Sequence, residues 1–104
     1  MAEVVWTHSA LQDLNDIAEY IAEYIALDNE AAAEKLVKSV FNKTDRLSEF
    51  PLSGRVPPEL QSSVYREVIA SPCRIIYREQ DGTVNILFVF REEREFRAYL
   101  LNEN

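Results

Sequence analysis

Glycine is nearly missing from this chain: Gly54 and Gly82 are the only two in 104 residues. So few cannot form a glycine-rich phosphate loop, which needs several backbone positions without a Cβ. Histidine and cysteine occur once each, as His8 and Cys73. One cysteine makes no internal disulfide and builds no metal centre by itself, so no metal and no cofactor is expected. One histidine leaves proton transfer near neutral pH with a single natural carrier. Long apolar runs are absent as well. Nothing approaches the roughly 20 residues of a membrane span. Met1-Ala2-Glu3 does not begin a basic-then-apolar leader, so a cytoplasmic protein without a membrane partner is expected.

Lysine disappears after Lys43. Residues 1–50 carry ten acids against four bases, whereas residues 51–104 carry eight acids against seven arginines. The net charge of −7 argues against general nucleic-acid binding, because phosphate affinity rests on clustered cations. The arginines of the second half suit a recognition surface, since guanidinium offers a rigid fork and a stacking plane that lysine lacks. At this length one domain over residues 1–104 is expected, burying about 65% of its unfolded surface.

What is present divides at Phe50–Glu59, which holds three of the four prolines and one of the glycines. Proline biases its preceding residue out of the helical region, so a helix arriving from the left stops near Phe50. The segment reads as an elbow, anchored by Phe50, that throws Arg55 and Glu59 outward. Before it, Val4-Val5-Trp6 is a short β-prone run. Thr7 and Ser9 are both cap residues, and Ser9 with Gln12 fits a capping box. Leu11, Leu14, Ile17, Ile21 and Ile25 then recur at helical spacing, with Tyr20 and Tyr24 on a second ridge. A further helix over about Glu30–Ser48 carries Ala33, Leu36, Val37, Val40, Phe41 and Leu47. The short link between the two makes them an antiparallel hairpin.

After the elbow the pattern is of strands: Tyr65–Ile69, Cys73–Arg78 and Val84–Phe90. Asp81-Gly82 joins the last two as a tight hairpin turn. Their near-continuous apolar character places these last two in mid-sheet. Arg74 and Arg78 share a face with Ile76, so at least one of them is expected to be paired internally or at the sheet rim. Cys73 reads as a small buried side chain. Glu92–Leu101 has the i,i+4 charge pairs of a short terminal helix. The fold class is α+β: an N-terminal strand, an antiparallel helical hairpin on an antiparallel sheet, and a short C-terminal helix.

Several pieces stand together in one order. They are Val5-Trp6-Thr7 with Ala10, Asp13-Leu14 and Ile17–Ile21; then Leu47, Phe50-Pro51 and Ser53-Gly54-Arg55 leading to Pro58-Glu59-Leu60; then Tyr65–Val68, Arg74–Arg78, Val84–Leu87, Val89 and Arg94. On these motifs, spanning residues 4 to about 97, the chain resembles the ParE/RelE superfamily of small toxins from type II toxin–antitoxin modules, and within it the ParE branch. The resemblance implies poisoning of DNA gyrase and neutralisation by a ParD-like antitoxin in a hetero-oligomer, with promoter DNA contacted only through the antitoxin. The related RelE branch implies cleavage of messenger RNA on the ribosome. A third outcome is a degenerate, non-toxic partner-binding module.

The residues discriminate between these readings. Many superfamily members carry a histidine two residues after the valine of the last strand. That position, counted from Val89, is Arg91, and arginine stays protonated at any useful pH. No catalytic residue is therefore assigned, and a non-enzymatic poison is favoured over a nuclease. Arg91, Arg94, Arg97 and Tyr99 are expected to face the target. Tyr20, Tyr24, Arg55, Arg66, Arg74 and Arg78 are expected to face the antitoxin.

Overall fold

A computed structural model describes residues 1–25, 30–60 and 63–94. Strand β1 covers Glu3–Trp6 and helix α1 His8–Tyr20, continued by a π-helical turn over Ile21–Ile25. Helix α2 spans Glu30–Asp45 and tightens into a 3₁₀ turn at Arg46–Ser48. Beyond the elbow come β2 (Tyr65–Ala70), β3 (Cys73–Gln80) and β4 (Thr83–Arg91).

The sheet order is β1-β4-β3-β2, which puts the two most apolar strands in the middle. The sheet is mixed, not antiparallel throughout, because β1 pairs with β4 in parallel, Val4 beside Val84 and Trp6 beside Ile86. Two backbone bonds set that direction: Glu3 N–H to the Gly82 carbonyl and Thr7 N–H to that of Ile86. A parallel neighbour needs a long crossover, and here both helices and two strands supply it. The β3–β4 turn takes positive φ at Asp81 and Gly82, 53° and 81°, as a two-residue hairpin requires.

One sheet face carries the helices. Ala70, Cys73, Ile75, Tyr77, Val84, Ile86 and Val89 meet Ala10, Leu14, Leu36, Val40 and Leu47 in one core. Cys73 is fully buried there, and burial with the charges of Glu92 and Glu93 pushes its thiol up to about 11. It is therefore inert at neutral pH.

Four local expectations are corrected. Thr7, not Ser9, caps α1: its hydroxyl accepts the Ala10 N–H at 3.1 Å and donates to the Ile86 carbonyl at 2.8 Å. The position next to β4 decides between two capable residues. Leu11 stands 44% exposed, and Ala10 takes its place in the core. Phe50 does not anchor the elbow, being 56% exposed. The anchor is Gly54, whose N–H donates to the buried Tyr77 hydroxyl at 2.9 Å. Finally, Glu59 turns inward to Arg74. Of the expected terminal helix, Glu92–Arg94 form a turn and bend; the remainder lies outside the described residues.

Candidate functional site

Strand β1 ends at Trp6 while β4 runs on to Arg91, so the far half of β4 has no strand on that side. Helix α1 crosses in its place. Asp13 substitutes for the missing strand, its carboxylate accepting the Val89 N–H at 3.1 Å. Because Asp13, Ile17 and Tyr20 follow at i, i+4 and i+7, they share one helix face. That face and the end of β4 enclose a groove of about 420 Å³ lined by Asp13, Asp16, Ile17, Tyr20, Val89, Phe90, Arg91 and Arg94.

Arg91 crowns the groove. Its guanidinium lies 4.2 Å from the centroid of the Tyr20 ring, and Tyr20 stacks on Tyr24 at 5.3 Å with a 38° tilt. Arg91 Nε contacts the Glu93 carboxylate at 2.9 Å. Its pKa is raised, first by the Tyr20 hydroxyl and then by Glu93, so its charge is permanent. The result is a Tyr24–Tyr20–Arg91 ladder, 66% exposed at its Tyr24 end, beside a wall of two aspartates. Stacking on aromatic faces and paired charges suit recognition of another surface.

Among the acids of the groove, Asp13 is the perturbed one: burial raises it above its ordinary 3.8 despite the Val89 N–H, and Asp16 adds in the same direction. A carboxyl so raised stabilises the fold while protonated and loses that contribution as pH climbs through its folded value. Asp13→Asn keeps an acceptor for Val89. The variant should melt above the parent at neutral pH, and the gap should close below pH 3.8, as thermal melts across pH will show.

At the other sheet edge lies a second cluster. Arg74, its side chain 7% exposed, clamps Glu59 with Nη1 and Nη2, both at 2.7 Å. Its Nε holds Glu67 Oε1 at 2.8 Å, and Arg55 Nε takes Oε2 of the same carboxylate at 2.6 Å. Arg74 also donates to the Arg94 carbonyl at 3.2 Å and lies 5.0 Å from the Phe90 ring centroid. Arg66 donates to the carbonyls of Leu52 and Gly54. These contacts lace the elbow to the sheet and tether the chain just beyond β4.

The expected site residues thus regroup. Tyr20 and Tyr24, assigned to the antitoxin, stand with Arg91 and Arg94, assigned to the target. Arg55, Arg66 and Arg74 form the clamp across the sheet from them, and Arg74 is too buried to meet a partner. Arg78 sits over Tyr65 at 6.0 Å, its Nε buried without a hydrogen-bond partner among the described residues. Arg97 and Tyr99 lie outside the described residues. By sequence alone Asp13 and Asp16 look like a solvated helix face. The signal that they join the groove is spacing, since Tyr20 follows Asp13 at i+7 and Asp16 at i+4.

Residues 4–96 match the family described as the ParE toxin of the type II toxin–antitoxin system parDE. The chain is 36% identical over 88 residues to Toxin RelE2 of Caulobacter vibrioides, covering 84% of this chain and 91% of that one. Among solved structures, a chromosomal ParDE toxin–antitoxin system from P. aeruginosa superposes with a TM-score of 0.71 at 22% identity, over 88% of this chain and 96% of that one. The RelBE2 toxin–antitoxin complex of Mycobacterium tuberculosis gives a TM-score of 0.56 at 23% identity, over 86% and 96%. At these identities the two structures establish the fold.

Proposed function

This chain belongs to the ParE toxin family, within the ParE/RelE superfamily of type II toxin–antitoxin toxins, and from that membership we propose that it poisons DNA gyrase and is held inactive by a ParD-like antitoxin. The observation that carries the reading is the Tyr24–Tyr20–Arg91 ladder. It sets a permanent cation and the Tyr20 face on an open groove, with Tyr24 stacked beside them, at the position where the resemblance implies a histidine. An arginine at that position binds and does not shuttle protons. The only histidine, His8, opens α1 on the surface. An antitoxin partner is supported by the structural relatives, both described as toxin–antitoxin systems or complexes.

A supercoiling reaction with purified gyrase tests the reading. Cleaved, protein-linked DNA should accumulate, and Arg91→Ala, a change at the groove rim, should weaken that effect by about tenfold or more. Normal supercoiling at excess protein would contradict it.

A ribosome-dependent ribonuclease is the second reading, favoured by the relative named Toxin RelE2 and by a carboxyl of raised pKa, Asp13, in the same groove as Arg91. Raised carboxyls are what general acids are made from. Toeprinting on translating ribosomes decides it: messenger cut at the A site supports the nuclease, and intact messenger removes it.

A further inference from the structure

Away from the Arg91 groove, a second concavity of about 520 Å³ lies between the C-terminal end of α2 and the outer edge of β2. Lys43, Arg46 and Arg55 line it beside Phe50. The one carboxylate in that lining, Glu67, has both oxygens engaged by Arg55 and Arg74. The concavity is therefore positive, on a chain whose net charge is −7.

Its floor is a strand edge. β2 ends the sheet, and Glu67 points its N–H and carbonyl outward, where both bond Arg55, at 2.7 and 3.0 Å. The elbow thus lays one antiparallel bridge on this edge. Two residues on, Ile69 repeats the outward orientation, because antiparallel ladders alternate. There the elbow has already left, Ser53 N–H having turned back to the Phe50 carbonyl. Among the described residues nothing bonds the outward groups of Ile69. Phe50 and Leu52, both more than half exposed, stand nearby on the elbow.

Open backbone donors and acceptors, a cationic rim and exposed apolar side chains together fit one kind of partner: an extended peptide alternating acidic and apolar residues. We infer that the β2 edge from Ile69 into the Lys43–Arg46 groove is the docking site for such an acidic strand, supplied by the neutralising partner. This deepens the toxin–antitoxin reading and rests on it. A second copy of this chain fits poorly, since two β2 edges brought together would oppose their own Lys43 and Arg46.

The test uses the full chain, isotope-labelled, with three capped peptides of about seven residues: glutamate alternating with valine, lysine alternating with valine, and the glutamate peptide N-methylated on its edge-facing amides. The glutamate peptide should bind and protect the Ile69 amide from exchange. The other two should bind about tenfold more weakly or worse. Charge reversal at two exposed positions, Lys43→Glu with Arg46→Glu, should cost the glutamate peptide a similar factor while the melting curve holds. Equal binding of the two charge types, binding that leaves the Ile69 amide exchanging freely, no binding at millimolar peptide, or a concentration-dependent dimer protecting Ile69 without peptide would each overturn the inference. Neither gyrase nor antitoxin enters this assay. Its failure therefore leaves the gyrase reading standing, and failure of the supercoiling test leaves a positive peptide result intact.

Discussion

Gly54→Ala should destabilise the fold by about 3 kcal/mol, combining overpacking with a lost buried hydrogen bond. For a domain of this size that is a fall in melting temperature of about 15 °C. A Cβ at Gly54 would sit 2.6 Å from the Tyr77 hydroxyl, 2.7 Å from the Glu67 carbonyl and 2.7 Å from Tyr77 Cε1. Two of these are ring or backbone atoms, and Tyr77 is fully buried, so neither neighbour yields by swinging aside. The elbow would have to lift, breaking the Gly54–Tyr77 bond and straining the adjacent bridge between Arg55 and Glu67. Gly82→Ala is the control. Nothing lies within 4 Å of its Cβ, and only the positive φ of 81° opposes the change, a cost of about 1 kcal/mol. Equal losses at the two glycines in thermal melts would show that the elbow is not packed as described.

Arg74→Met should cost about 3–5 kcal/mol, the range for a buried ion pair stripped of one partner. Glu67 has a side chain with no exposure and would keep only Arg55, itself 62% exposed on its side chain. Adding Glu67→Met should restore much of the loss, because a buried pair replaced by apolar groups is often near neutral. Denaturant melts of the two single variants and the double one make a thermodynamic cycle. Strictly additive losses would contradict the clamp. The same substitution removes the Arg74 tether on the Arg94 carbonyl, so the end of the Arg91 groove should loosen with it, visible as faster amide exchange near Arg94.

Much of this architecture can be read from the chain, and the exceptions share a cause. Period and punctuation place α1, α2 and the three later strands within a few residues, and Asp81-Gly82 marks the β3–β4 turn. The mid-sheet position of β3 and β4 follows from their apolar runs. β1 is different: four residues carry too little pattern to give a direction, and its parallel pairing with β4 depends on contacts some eighty residues away. The elbow was legible as a break but not as a knot. Glu59, Glu67 and Arg74 are separated by a turn and a strand, and only the folded sheet edge brings them to one point. Parity alone did place Arg74 on the Ile76 face and require a partner for an arginine there, which the clamp supplies.

The site divides the same way. Arg91 stands out in the sequence as a cation where resemblance suggests a histidine. The groove around it was hidden, because Asp13 and Asp16 look like any solvated helix face until α1 crosses the uncovered half of β4. Charge was misleading for a related reason. A net −7 averaged over the chain conceals the cluster of Lys43, Arg46 and Arg55 that folding gathers at the β2 edge.

The most direct measurement titrates purified gyrase and plasmid with this protein while counting covalent gyrase–DNA adducts, with a ribosome-bound messenger in a parallel reaction. Stoichiometric binding predicts adducts that rise with protein and level off near one toxin per gyrase active unit, with messenger left whole. Messenger severed at substoichiometric protein, with no adducts at any ratio, would contradict the account.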